Sequence, residues 1–450
     1  MKIHFIAIGG SIMSQLAIQS ALKGDTVTGS DDEIFNPSKT NLQNHQLLPK
    51  EMGWYPNKIT TEIDAIIVGM HAKFDNAELL RAQELNLPTF SYPEYIYNET
   101  KNKKRVVIAG SHGKTTITAM VMHVLKAYNV DFDYLVGASL EGFEYQIKLT
   151  SKSNTIIIEG DEYLSSPIHK QPKISYYKPH ITSISGIAWD HINVFKTEAD
   201  YLQIFEDYVF GLNKDAVLFH YKNDEKLAKI EEKAKLLKSI AYETPAFNVK
   251  NGTFEIIDNE KIIPLKIFGE HNLQNIACAK LICEELGINN NLFYKQIKNF
   301  TGASRRLQLI KQGQDWAIYN DFAHAPSKVK ATVNALQQLW PNRKLICILE
   351  LHTYSSLNKN FIDTYNNTLN NANEAVVYYN QHTLEIKKLP NLSKSDVKRA
   401  FGLDNLNVIT EKEALKSYLQ QVELHNTNVL VMTSGNLSGL KIKDLLSDNV

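Results

Sequence analysis

Short runs of β-branched residues alternate with helix-period stretches through most of the 450 residues. That alternation predicts parallel sheets joined by crossover helices, an α/β fold. A first block reads as strands at Ile3–Ile8, Thr26–Thr28, Ala65–Val68 and Thr89–Ser91, with helices at Ile12–Leu22 and about Asn76–Leu85. A second opens with Arg105–Ala109, continues through Thr155–Glu159 and Ile181–Ser185, and carries a helix over Asn272–Leu286. A third starts near Trp316, with strands at Lys344–Leu349, Ala375–Tyr379 and Val429–Met432. The polar, lysine-dense Asn98–Lys104 reads as a linker between the first two blocks. Residues 213–266 predict a further strand and helix, and a small hairpin around Asn251-Gly252.

Length and composition narrow the class. A chain of 450 residues exceeds the roughly 250–300 at which one core stops growing, so two or three domains are expected. Hydrophobic residues make up 43% and charged residues 22%, an ordinary globular balance. With 49 basic and 49 acidic side chains, no overall field recruits nucleic acid or an anionic membrane. Cys278, Cys283 and Cys347 form no C-x-x-C pair and read as small core residues in a reducing compartment. The N-terminal apolar run is too short for a signal peptide, and no apolar stretch approaches ~20 residues. These features together predict a cytoplasmic protein.

Candidate chemistry centres on AGSHGKTT, which follows the strand Arg105–Ala109 and opens a helix at Lys114. Backbone N–H groups of the loop and the positive end of the helix dipole converge on one point, a phosphate site. Lys114 adds a mobile charge for outer phosphates, and the Thr115 hydroxyl suits Mg²⁺. A magnesium nucleotide also needs carboxylates, and two strand ends in the block supply them. One carries Glu159, Asp161 and Glu162; the other carries Asp190 with His191. Further on, His271, Asn272 and Asn275 can hydrogen-bond a base, although Asn272 could equally cap its helix. Arg305 and Arg306 offer two guanidiniums able to clamp a phosphoryl group.

Taken in order, AGSHGKTT, IIEGDEY, WDHINVF, GEHNLQNIACA, GASRRLQ and NDFAHAPSKV resemble the Mur ligases, ATP-dependent amide-forming enzymes of peptidoglycan synthesis. The resemblance covers essentially the whole chain. It implies a Rossmann-like UDP-sugar domain over 1–98, a central ATPase domain over 99–306, and a Rossmann-like amine-substrate domain over 307–450. It further implies that Gly110, Ser111, His112, Gly113 and Thr116 line the nucleotide loop and that Lys114 holds the β and γ phosphates. Thr115, Glu159 and His191 would bind Mg²⁺; His271, Asn272 and Asn275 would meet the adenine. Arg305 or Arg306 would reach the γ-phosphate, and Asp321 and His324 would touch ATP from the third domain. The neighbourhood Phe205-Glu206-Asp207 lacks the lysine that many members carbamylate, as in the branch acting directly on UDP-N-acetylmuramate.

The N-terminal block agrees with that donor. Gly9, Gly10 and Ser11 resemble the branch's pyrophosphate turn, Ser30 and Asp31 end the strand where an acid commonly meets a ribose, and His71 occupies the next sugar-nucleotide loop. Two reactions use such a donor: L-alanine addition during synthesis, and addition of the tripeptide L-alanyl-γ-D-glutamyl-meso-diaminopimelate during recycling. The segment from Asp161-Glu-Tyr163 to Pro172-Lys-Ile-Ser-Tyr-Tyr-Lys-Pro179 is similar to the longer recycling form. His352 and Tyr354 match the amine-side motif of the alanine-adding form, but Thr353 stands where that motif has arginine. The expectation is therefore a tripeptide ligase using ATP and Mg²⁺, with L-alanine addition as the alternative. It would be a monomer or weak homodimer without nucleic-acid or membrane partners. A non-catalytic nucleotide-gated binding protein is a third class, against which the retention of Glu159 and His191 argues.

Overall fold

The computed structural model describes residues 1–166, 171–189, 192, 194–234, 238–303 and 306–446. The chain divides into two compact units, one of residues 1–187, 203–241 and 281–288, the other of 188–202, 242–280 and 289–450.

The first unit contains two sheets. Strands β1 (Lys2–Ile6), β2 (Thr26–Ser30), β3 (Ala65–Val68) and β4 (Thr89–Ser91) pair in parallel in the order β2-β1-β3-β4. Ile3, Phe5 and Ile6 on β1 and all four residues of β3 are buried, as expected of parallel strands covered on both faces. The second sheet comprises β5 (Lys104–Ala109), β6 (Asp133–Leu135), β7 (Ile147–Lys148), β8 (Thr155–Glu159), β9 (Ile181–Ile184), β10 (Val217–Tyr221) and β11 (Lys238–Tyr242). Its order is β11-β10-β9-β5-β8-β6-β7, and only the short edge strand β7 is seen to run antiparallel to its neighbour.

The stretch expected to be a linker is fixed structure. The helix Tyr92–Thr100 runs into it under a Ser91–Glu94 capping box, and β5 begins at Lys104. Arg105, 4% exposed, closes the join. Its guanidinium donates to the carbonyls of Thr100 (3.0 Å), Lys101 (2.8 Å) and Lys103 (3.1 Å), and to those of Tyr177 (2.8 Å) and Lys178 (3.1 Å). Lys103 pairs with buried Asp133. Of the three lysines here, Lys103 partners a buried carboxylate, while Lys101 and Lys104 are exposed, a difference that composition cannot show.

The second unit holds an antiparallel sheet of β12 (Phe247–Lys250), β13 (Thr253–Asp258) and β14 (Lys261–Pro264). The expected hairpin turns at Asn251-Gly252, both at positive φ, as a tight two-residue turn requires. Its larger sheet comprises β15 (Gln308–Gln312), β16 (Ala317–Asp321), β17 (Lys344–Glu350), β18 (Glu374–Tyr378), β19 (Asn407–Ile409) and β20 (Thr427–Met432), ordered β15-β16-β20-β17-β18-β19. Except for antiparallel β15, these strands are parallel. Because β20 inserts between β16 and β17, the C-terminal ends of these three strands lie side by side, where open α/β sheets take ligands.

Candidate active site

Glycine supplies the bend that opens the central loop. Gly113 sits at φ 77°, in the left-handed region, and the helix Lys114–Ala127 starts behind it with no side chain capping its first N–H groups. The loop is braced from β9's end: the Ser111 N–H and hydroxyl both donate to the Gly186 carbonyl, at 2.8 and 3.1 Å. The hydroxyl also lies 2.9 Å from His112 Nδ1.

The structure assigns each acid at the end of β8 a different partner. Glu159 accepts the Thr115 hydroxyl at 2.7 Å and the Gly137 N–H at 2.8 Å. Glu162, fully buried, pairs with Lys114 at 2.7 Å, while Lys114 also donates to the Gly110 carbonyl at 2.5 Å. Asp161 pairs with Lys173 at 2.6 Å. Burial pulls the Lys114 ammonium down in pKa, but Glu162 and Asp161 more than offset it and hold the group above the ordinary lysine value. Thr115 and Glu159 together present hard oxygens to one point, which suits Mg²⁺. Among the described residues no three His, Cys, Asp or Glu side chains surround a common centre. His191 lies outside the described residues.

At the first sheet, the parallel register brings Gly9, Gly10 and Ser11 together with Ser30, Asp31 and exposed His71 along one C-terminal edge. The helix Ser11–Leu22 begins there without a side-chain cap. Asp31 is buried and accepts the Gly9 N–H at 2.7 Å. Burial, opposed by that hydrogen bond and reinforced by neighbouring Asp32, raises the Asp31 pKa to about 6. Ser11 donates to Gln146 at 3.1 Å, and Lys58 reaches the Ser30 hydroxyl at 3.4 Å.

The remaining candidates belong to the second unit. Asn272 donates to the Phe268 carbonyl at 2.9 Å and Asn275 to Asn272 at 3.4 Å, both residues being buried. Asn272 lies inside the helix Glu270–Glu285 and is not its cap. Burial lowers the His271 pKa, against the pull of Asp321 and with the help of Arg306. Arg306 stacks on Phe322, 5.0 Å from the ring centroid, and Arg305 lies outside the described residues. Asp321 is buried and accepts the Thr332 hydroxyl at 2.6 Å, while His324 Nδ1 lies 2.8 Å from the Phe322 carbonyl. His352 and Tyr354 follow β17. Beside them sits Glu350, a buried carboxylate that accepts the Thr433 hydroxyl and, at 3.2 Å, the Leu437 N–H. Pattern reading passed over Glu350 and Lys173; a carboxylate ending an otherwise apolar strand was the available signal for the first.

Three comparisons bear on these sites. The sequence matches the Mur ligase family catalytic domain over residues 2–104, the Mur ligase middle domain over 108–283, and the Mur ligase glutamate ligase domain over 305–436. It is 31% identical to the UDP-N-acetylmuramate–L-alanine ligase of Persephonella marina across 81% of this chain and 79% of that one. The same enzyme of Ruthia magnifica is 27% identical, covering 100% and 97%. Among solved structures, UDP-N-acetylmuramate-alanine ligase from Thermotoga maritima superposes with TM-score 0.70 at 19% identity, over 99% of this chain and 98% of that one. Murein peptide ligase from Psychrobacter arcticus gives 0.67, also at 19%, over 100% and 99%.

Proposed function

Since the chain belongs to the Mur ligase family, ATP-dependent ligases that form amide bonds, we propose that it joins the carboxylate of UDP-N-acetylmuramate to the tripeptide L-alanyl-γ-D-glutamyl-meso-diaminopimelate. The observation that carries the ligase chemistry is the sorting of charges at the ends of β5 and β8: Lys114 on Glu162, and the Thr115 hydroxyl on Glu159. ATP binding would draw Lys114 toward the phosphates. Mg²⁺, held by Thr115, Glu159 and His191, would supply charge neutralisation on the phosphoryl oxygens. The carboxylate attacks the γ-phosphorus, ADP departs, and the amine then displaces phosphate from the acyl phosphate. In this reading the donor lies along the Gly9–Ser11, Asp31 and His71 edge, the adenine by His271, Asn272 and Asn275, and the amine beside His352 and Tyr354. Residues 1–98, 99–306 and 307–450 serve as donor, nucleotide and amine domains. A UDP-activated sugar and ATP both imply work in the cytoplasm. No helix among the described residues is long and apolar enough to cross a membrane.

The tripeptide is favoured by the long segment between Asp161 and Pro179, while Thr353, where an alanine-adding site would have arginine, weakens the alternative without matching the recycling motif. L-alanine addition is the second reading, supported by the names of the curated relatives. Phosphate release with ATP, Mg²⁺ and UDP-N-acetylmuramate, measured with either amine and with product mass, separates them. Tripeptide-dependent turnover is expected; turnover with L-alanine alone would move the protein to the synthetic step, and silence with both would overturn the donor assignment.

A further inference from the structure

The geometry points to Lys173 as the cation that receives the substrate carboxylate between the two sheets of the first unit, an inference resting on the donor assignment above. Lys173 opens the turn Lys173–Tyr176 and is drawn to the end of β8 by its main chain: its N–H donates to the Tyr163 carbonyl at 2.8 Å, and the next N–H, of Ile174, donates to that of Asp161 at 3.1 Å. Its ammonium sits 2.6 Å from Asp161, 5.6 Å from the ring centre of Tyr92 and 5.8 Å from that of Tyr163. Tyr92 directly follows β4 in the first sheet, and Asp161 follows β8 in the second. One charged group therefore touches the C-terminal ends of both sheets.

That position answers a charge problem. Glu159, Asp161 and Glu162 crowd the end of β8, and Asp161 is 38% exposed, so a carboxylate arriving from the first sheet meets negative charge. Lys114 is committed to the nucleotide loop. Lys173, with a side chain 13% exposed and two aromatic faces fixing its direction, is the cation placed to accept an anion from the donor side. Asp161 takes one of its three N–H groups. During the reaction one carboxylate oxygen forms a bond to the γ-phosphorus, and the bond from that phosphorus to the bridging oxygen breaks. The electron pair leaves with ADP. Lys173 holds the oxygen that does not attack.

The test compares two ligands differing in that carboxylate. Calorimetry on the full chain, with a non-hydrolysable ATP analogue and Mg²⁺, measures affinity for UDP-N-acetylmuramate and for UDP-N-acetylglucosamine, which lacks the lactyl acid. K173M should weaken the muramate ligand at least tenfold and leave the glucosamine ligand within twofold, and K173R should restore most of the difference. In turnover, K173M should raise KM for the acid far more than KM for ATP. Equal losses for both ligands, or none, would overturn the assignment; K173Q carries the same comparison if K173M does not fold. A wild-type chain that binds neither ligand would instead refute the donor reading itself, and this inference with it.

Discussion

Asp31 illustrates how one buried carboxylate links folding to pH. Its pKa of about 6 lies above the ordinary aspartate value of 3.8, so the folded chain binds this proton more tightly than the unfolded chain does. Its contribution is therefore complete below the unfolded pKa and is lost as pH rises toward and through the folded one. From about pH 7.5 down to about pH 4.5 the wild type should gain roughly 2 kcal/mol from this group, and D31N should not. Thermal unfolding of both chains at the two pH values checks this. Parallel shifts would show that Asp31 does not titrate as its burial requires. At the same scale, Thr115 and Glu159 stood out as candidates because one opens the helix that follows β5 and the other ends β8, the strand paired beside it. Lys173 and Glu350 gained significance only when distant backbone brought Tyr92 to the one and Thr433 to the other.

Strands buried on both faces were legible because their apolar runs are nearly unbroken, as in Ala65–Val68 and Thr155–Glu159. The edges were not. β7 has two residues, β14 alternates poorly and stands largely in solvent, and β15 pairs antiparallel with mostly exposed side chains. Such segments are held by partners in space, and their own pattern carries little signal. The join at 98–104 is the clearest example. Replacing Arg105 with alanine would leave the carbonyls at 100, 101, 103, 177 and 178 without this donor. A loss of about 3 kcal/mol is expected, since buried acceptors stripped of a charged partner bear the full desolvation cost. Urea unfolding followed through the first unit would reveal it, and a midpoint equal to wild type would mean that water replaces the guanidinium at little cost.

Across the molecule, the proposed donor edge and the proposed phosphate loop occupy different sheets of one compact unit. Lys114→Ala should therefore abolish phosphate release while leaving UDP-sugar affinity within about twofold, because Lys114 is held by Gly110 and Glu162 at the second sheet. Titration of the variant with UDP-N-acetylmuramate would decide the point; equal loss of both properties would contradict that division of labour. The Arg105 staple has a consequence for this arrangement. With no slack between Thr100 and Lys104, and with the same guanidinium gripping Tyr177 and Lys178, the two sheet edges stand at a set spacing. If the donor spans both edges as proposed, that spacing would act as a gauge. A donor whose anchoring group and carboxylate are closer together than the gap could seat at one edge and still fall short of the other, so the protein would select its acid by reach as well as by charge.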